Sequence, residues 1–272
     1  MDTTPPARPS RATVAAFYDR GVDGYVDLWS AVILPPAQAV VAAMNLEPAA
    51  TVIDVGAGSG AVIPSIRRAS PGARVIALDA SPEMLRVARD HTDAFAAHSD
   101  ALALPVRDDI ADGVLFAYVL FHVGDPAGAL LEAARVLRVG GVVGTVTWTV
   151  SRDLSPAAYG VWDKTLTEAG APPVSGARVD TGLDSTDAID HLLSATGFAP
   201  VRVWVEALSH QWTAETYFQL ATGSGMNRVR LDVLDEPTRA ATLDLARTRL
   251  SSLEPKDLLW SGDVICAVAT RR

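Results

Sequence analysis

Three features predict an α/β fold of βαβ units on a parallel sheet. Short apolar runs alternate with helical patterns from residue 51 to residue 150. The first run, Thr51 to Val55, opens directly into a glycine-rich turn. The second, Arg74 to Leu78, ends at an acid, Asp79. The length of 272 residues suits one α/β domain with insertions, and 49% hydrophobic against 20% charged residues supplies a sizeable core.

Residues 1–10 carry three prolines and no periodicity, so a mobile tail is expected there. Arg11 to Leu34 places Phe17, Tyr18, Tyr25, Leu28 and Trp29 at helical spacing. A second helix is expected after Pro35-Pro36, because proline suits a first helical turn, and it should end near Asn45. The strand at Thr51–Val55 is followed by a helix over 61–69 and the strand at 74–78. Ser81-Pro82-Glu83 is a helix start: a cap, a first-turn proline and an early acid. A third strand is predicted over 94–98 and a fourth over 113–118. Asp125-Pro126 opens a helix with Leu130, Ala133, Ala134 and Leu137 on one face, and Gly140-Gly141 should stop it. Val142 to Thr149 is the fifth strand.

Beyond Val150 the rhythm loosens. One helix is expected over 156–169, then a loop rich in Pro, Gly and Ser, then a helix over 185–195 capped by Asp184 or Ser185. A strand at 200–207, mostly helical text over 210–255 and a last strand at 258–270 complete the chain. The core is therefore placed at about 46–150, 184–207 and 258–272. The segments 11–45, 151–183 and 208–257 are too long for tight turns and are assigned to a lid along one edge of the sheet.

Thirty-two acids against 23 bases give a net charge of -9, which repels phosphate backbones and disfavours nucleic acid as a partner. The single Cys266 excludes an intrachain disulfide and a multi-cysteine zinc site; the scattered histidines form no ligand pattern, so no metal is expected. No apolar signal segment is visible at the start. The run from Gly113 to Val123 falls short of the roughly 18 residues a membrane span needs. A soluble, cytoplasmic protein is expected.

The chemistry concentrates in three places. Asp54-Val55-Gly56-Ala57-Gly58-Ser59-Gly60 lies between a buried strand and a helix, where glycines allow a sharp turn and close approach of a ligand. Gly56, Gly58 and Ala61 also satisfy the relaxed dinucleotide fingerprint G-x-G-x-x-A. Asp79 can accept hydrogen bonds from both hydroxyls of a ribose, which points to a nucleoside ligand without choosing between nicotinamide and methyl-donor cofactors. His98-Ser99-Asp100-Ala101-Leu102-Ala103-Leu104-Pro105 follows the third strand.

With that third motif the chain resembles the class I S-adenosylmethionine-dependent methyltransferases, specifically the small-molecule group that includes the ubiquinone and menaquinone biosynthesis enzymes. The resemblance extends through Val119–Pro126 and Ala133–Gly141 and back to Tyr18-Asp19 and Tyr25; Val22 departs from the usual alanine. It covers residues 15–150 well and the remainder loosely. It implies a seven-stranded, mostly parallel Rossmann-like sheet with helices on both faces and an antiparallel last strand, and S-adenosyl-L-methionine as cofactor. Gly56, Ala57 and Gly58 should line the amino-acid part of the cofactor, and Asp79 should hold its ribose. Ala80 and Met84 should pack on the adenine, with Asp100 and Ala101 reading its edge. Ala117 should sit near the methionine moiety, and Tyr18 and Tyr25 should close over the carboxylate. His122, just past the fourth strand, is the candidate general base. The implied activity is methyl transfer to a small, largely apolar acceptor. A nicotinamide-dependent oxidoreductase and a non-catalytic S-adenosylmethionine-binding protein are the alternatives; the first leaves Asp100 and Leu102-Ala103-Leu104-Pro105 without a role.

Overall fold

The computed structural model describes residues 11–149, 157–173, 182–223 and 225–272. The expected tail over 1–10 and the Pro/Gly/Ser-rich loop over 174–181 lie outside the described residues. The chain forms α1 (Arg11–Arg20), α2 (Val22–Gly24), a π-helical turn (Tyr25–Trp29) and α3 (Ser30–Ala43). Then follow β1 (Thr51–Val55), α4 (Ile63–Ala69), β2 (Arg74–Asp79), α5 (Pro82–His91), β3 (Phe95–His98) and β4 (Ala111–Ala117). A short 3₁₀ turn (Leu120–His122) leads to α6 (Pro126–Val136) and β5 (Leu137–Trp148). The remainder is α7 (Ala157–Glu168), α8 (Thr186–Ala195), β6 (Phe198–Gln211), α9 (Ala214–Gly223), α10 (Gly225–Asp232), α11 (Glu236–Ser251) and β7 (Leu259–Arg271).

β1 is buried at all five positions, which is why it reads as an unbroken apolar run: a central parallel strand is covered on both faces. The seven strands lie in the order β3-β2-β1-β4-β5-β7-β6, with β1 to β5 parallel and β7 antiparallel to both neighbours. Strand order reverses between β1 and β4, and such a reversal opens a crevice at the carboxyl ends of the strands. One sheet face is covered by α6 and α8, where Leu130, Ala133, Ile189 and Leu193 pack on Phe116, Phe198 and Ile265. The other is covered by α3 and α4, where Val40, Val41, Ile63 and Ile66 pack on Val52, Leu115 and Cys266. Helices α7, α9, α10 and α11 build a separate core around Trp162 and Phe218, whose rings meet edge to face at 6.0 Å. Within it the buried Arg230 guanidinium donates to Asp163 at 2.6 Å and to the Ala171 carbonyl at 2.7 Å.

Several boundaries differ from the sequence reading. Pro35 and Pro36 do not open a helix but lie inside α3. The missing N–H donors are tolerated because α3 buries Val32, Ile33, Pro36, Ala37, Val40 and Val41. That helix rests on β5, β6 and β7 as part of the sheet's cover, so the segment assigned to the lid is divided, its second half belonging to the core. Gly140 and Gly141 do not cap α6; the helix ends at Val136, and Gly140, at φ +79°, makes an irregular entry into β5. β6 is longer than expected because it pairs with β7 from Phe198 to Gln211, a register that exposed edge residues such as Val201 and Val205 conceal. The helical stretch Val22–Ala43 is also long and apolar enough to cross a bilayer by composition, although Val40 and Val41 are fully committed to the sheet.

Candidate active site

The loop after β1 is held to β2: the backbone N–H groups of Gly56 and Ala57 donate to the Leu78 carbonyl at 2.7 and 3.1 Å. Gly56 has φ +69°, and a Cβ there would meet the Val119 side chain at 2.3 Å. Gly58 has φ +55° and open space where a side chain would stand. Asp79 joins this loop to α5. Its Oδ2 accepts from the Gly58 N–H at 2.7 Å and its Oδ1 from the Ser81 N–H at 2.8 Å. Each oxygen keeps a further lone pair for a ligand hydroxyl. Burial pushes the Asp79 carboxyl upward, opposed by those N–H bonds.

Asp54 was not among the residues singled out from sequence. It lies in β1 two residues before Gly56, is 1% exposed, and its Oδ2 has no hydrogen-bond partner among the described residues. Burial, then the neighbouring Asp79, raise its pKa to about 7. The available signal was the lone acid inside the apolar run Val52-Ile53-Asp54-Val55.

The N-terminal segment roofs this loop. The Tyr18 hydroxyl and His122 Nε2 share a hydrogen bond at 2.9 Å, and the Tyr18 and Tyr25 rings meet edge to face at 5.6 Å. Burial raises the pKa of both phenols, so both stay neutral hydrogen-bond donors. Burial lowers His122 to about 4. At neutral pH this imidazole is uncharged, weakly basic and occupied by Tyr18. Asp19 anchors the roof by accepting from the Ser81 hydroxyl at 2.5 Å; the same hydroxyl caps α5 by accepting from the Met84 N–H at 3.1 Å.

The remaining predicted positions fall around the crevice. Asp100 follows β3, accepts from the Leu102 N–H at 2.9 Å and pairs with Arg11 at 3.3 Å. Ala80 and Ala101 are half-buried, and the Ala80 carbonyl hydrogen-bonds His98 Nε2 at 3.1 Å, so His98 ties the end of β3 to the turn after β2. Met84 is fully buried and packs with Val22, Tyr18 and Tyr25 beneath the roof. Ala117 ends β4, half-buried; the next residue, Tyr118, takes φ +61°. The described residues contain no group of three or more His, Cys, Asp or Glu arranged to hold a metal.

Comparison with known proteins fits this arrangement. A family described as "Methyltransferase domain" matches residues 53–144, from the glycine loop to β5. A demethylmenaquinone methyltransferase of Thermobifida fusca is 37% identical over 139 residues, 47% of this chain and 58% of that protein. An uncharacterized protein of Mycobacterium tuberculosis is 30% identical over 207 residues, 67% of this chain and 75% of that protein. This chain belongs to the class I S-adenosylmethionine-dependent methyltransferases. Solved structures share the methyltransferase fold. A putative methyltransferase of Haloferax volcanii, solved with the Trm112 activator, superposes with a TM-score of 0.58 at 20% identity, over 94% of this chain and 96% of that one. A SAM-dependent methyltransferase of Thermotoga maritima superposes with a TM-score of 0.52 at 20% identity, over 95% and 99%. The [4+2]-cyclase SpnF superposes with a TM-score of 0.57 at 18% identity, over 98% and 99%, so the fold also occurs in a cyclase.

S-adenosylmethionine is the cofactor, and the crevice fits it. The space at Gly58 admits a ligand against the backbone, the spare lone pairs of Asp79 suit two hydroxyls, and the orphaned Asp54 Oδ2 offers an acceptor to a cationic ligand.

Proposed function

We propose that this methyltransferase acts in the cytoplasm on a small, largely apolar molecule. The observation that carries the reading is the roof of Tyr18, Tyr25 and His122 over the glycine loop, with an apolar, aromatic surface beside it, on a chain whose net charge of -9 disfavours a polyanion. When bound, S-adenosylmethionine would be held by the Gly56–Gly58 loop and Asp79 and would supply a sulfonium methyl to an electron-rich acceptor atom, leaving as the neutral thioether.

The chain's own part is placement, which can supply on the order of 7 to 11 kcal/mol of barrier reduction. Gly56, Ala57 and Gly58 give the amino-acid part of the cofactor backbone to lie against. Asp79 takes the ribose hydroxyls. Asp100 and Ala101 take the adenine edge, and Ala80 and Met84 its face. Ala117 borders the reacting end. Tyr18 and Tyr25 close over the amino-acid end and keep water out. His122 holds Tyr18 in that position; with a pKa near 4 it draws little driving force for taking a proton at neutral pH. The lid role belongs to α1, α2 and the π turn.

Incubating the protein with a whole-cell extract and deuteromethyl-labelled S-adenosylmethionine, then following the label by mass spectrometry, tests the reading. The label should enter the solvent-extractable small-molecule fraction. Label entering only nucleic acid or protein would overturn it.

A further inference from the structure

Four of the six tryptophans gather at one end of the sheet, beside the carboxyl end of β4. Trp29 closes the π turn, Trp148 ends β5, Trp212 follows β6 and Trp260 starts β7. Trp29 lies near-parallel to Trp148 (centroids 6.4 Å, 27°) and to Trp212 (6.5 Å, 17°). Trp260 stands edge-on to Trp29 at 5.1 Å and to Trp148 at 6.0 Å. Trp29, Trp148 and Trp260 are half-buried, each keeping part of its surface open. The wide π turn puts Tyr25 beside Asp79 and Asp54 and Trp29 in this group, so one turn of backbone spans both.

Tyr118 connects the two regions independently. Its ring packs on Trp148 at 5.1 Å, and its neighbour Val119 is the residue seated against Gly56. Tyr118 is held at φ +61° by its N–H donating to the Val146 carbonyl at 2.9 Å, a conformation costly for a non-glycine residue. The strained backbone delivers a phenol that is 8% exposed and whose hydroxyl has no partner among the described residues. A side chain placed only to fill the core would be served as well by phenylalanine. Nearby Glu206 does not serve it: that carboxylate accepts from the Trp204 indole N–H at 3.4 Å and from the Cys266 thiol at 3.8 Å.

We propose that Tyr118, Trp29, Trp148 and Trp260 form the acceptor site, and that it takes a flat aromatic ring bearing a hydroxyl. The indoles cover the ring by stacked and edge-on contact, and the Tyr118 hydroxyl hydrogen-bonds the ring oxygen. Near-parallel indoles suit a flat ring better than a quaternary ammonium, which is enclosed by faces turned inward on several sides. Tyr118 is in this account the specificity-determining residue for the oxygen. The inference rests on the small-molecule methyltransferase reading above.

The test is ligand-observed NMR titration of the full chain, saturated with S-adenosylhomocysteine, using p-cresol, toluene, cyclohexanol and tetramethylammonium as probes. The expected result is saturable binding of p-cresol and toluene, with p-cresol tighter. Tyr118→Phe, which removes one oxygen, should weaken p-cresol at least five-fold and leave toluene within two-fold. Trp148→Leu should weaken both. Equal p-cresol affinity in wild type and Tyr118→Phe would overturn the proposal, as would tetramethylammonium or cyclohexanol binding as well as p-cresol, or no binding of any probe. Calorimetry with S-adenosylhomocysteine separates the two readings: cofactor binding that persists in Tyr118→Phe while the p-cresol pattern fails defeats only the acceptor site, whereas a wild-type chain that binds no S-adenosylhomocysteine defeats the methyltransferase reading itself.

Discussion

Asp54 and His122 are buried titratable groups whose effects on stability oppose one another. Asp54 is raised from 3.8 to about 7, so the folded chain holds its proton where the unfolded chain has lost it. Its contribution to stability is therefore greatest below pH 3.8 and declines up to pH 7. His122 is lowered from 6.5 to about 4, so the unfolded chain binds the extra proton and stability rises with pH across that window. In the wild type the two trends largely cancel. Asp54→Asn removes one of them. Urea unfolding should show the stability of the variant relative to wild type increasing by about 3 kcal/mol between pH 4 and pH 7, the part of the Asp54 shift that falls in that window. A difference that does not change with pH would mean that Asp54 is not buried as described. This residue also shows what hides a site residue in sequence. A polar side chain in a central strand looks like an interruption of the apolar run until its neighbours, Asp79 and Tyr25, are known.

Among elements, the N-terminal segment divides by how it is held. α1 has no fully buried residue; its ties are directional ones, through Tyr18 to His122, Asp19 to Ser81 and Arg11 to Asp100. α3 buries seven residues, among them Ile33, Ala37, Val40 and Val41 against the sheet. Few buried contacts mean a low free energy of local opening, and a ligand beneath the roof adds contacts only to the closed state. Trypsin should therefore cut after Arg11 and Arg20 more slowly when S-adenosylhomocysteine is present. Equal rates with and without ligand would make the roof a fixed part of the core and return Tyr18 and Tyr25 to packing. The aromatic spacing over residues 11–34 made helices legible here. It did not reveal the π turn, because a turn one residue wider leaves no composition signal, nor that Pro35-Pro36 sits within a helix held by tertiary burial.

For the whole molecule, the open sheet was legible because β1 to β5 alternate with helices at short, regular spacing and the central strands are covered on both faces. The antiparallel end was legible only through the family resemblance, since β6 is an edge strand with a mixed pattern. The positions expected to hold the cofactor, from Gly56 to Asp100, lie in one βαβ stretch, so their proximity was readable from local geometry. Trp29, Tyr118, Trp148, Trp212 and Trp260 were not grouped, because only the sheet order, with β7 beside β5, unites positions so far apart in the chain. We propose that the crevice made by the β1–β4 reversal binds S-adenosylmethionine through the Gly56–Gly58 loop and Asp79. Calorimetric titration of wild type and Asp79→Ala with S-adenosylhomocysteine and with NAD tests it most directly. Loss of a charged acceptor costs roughly 1.5–3 kcal/mol, so the variant should bind S-adenosylhomocysteine about 10- to 150-fold more weakly, and neither protein should bind NAD. Unchanged affinity in Asp79→Ala, or micromolar binding of NAD to the wild type, would contradict the account.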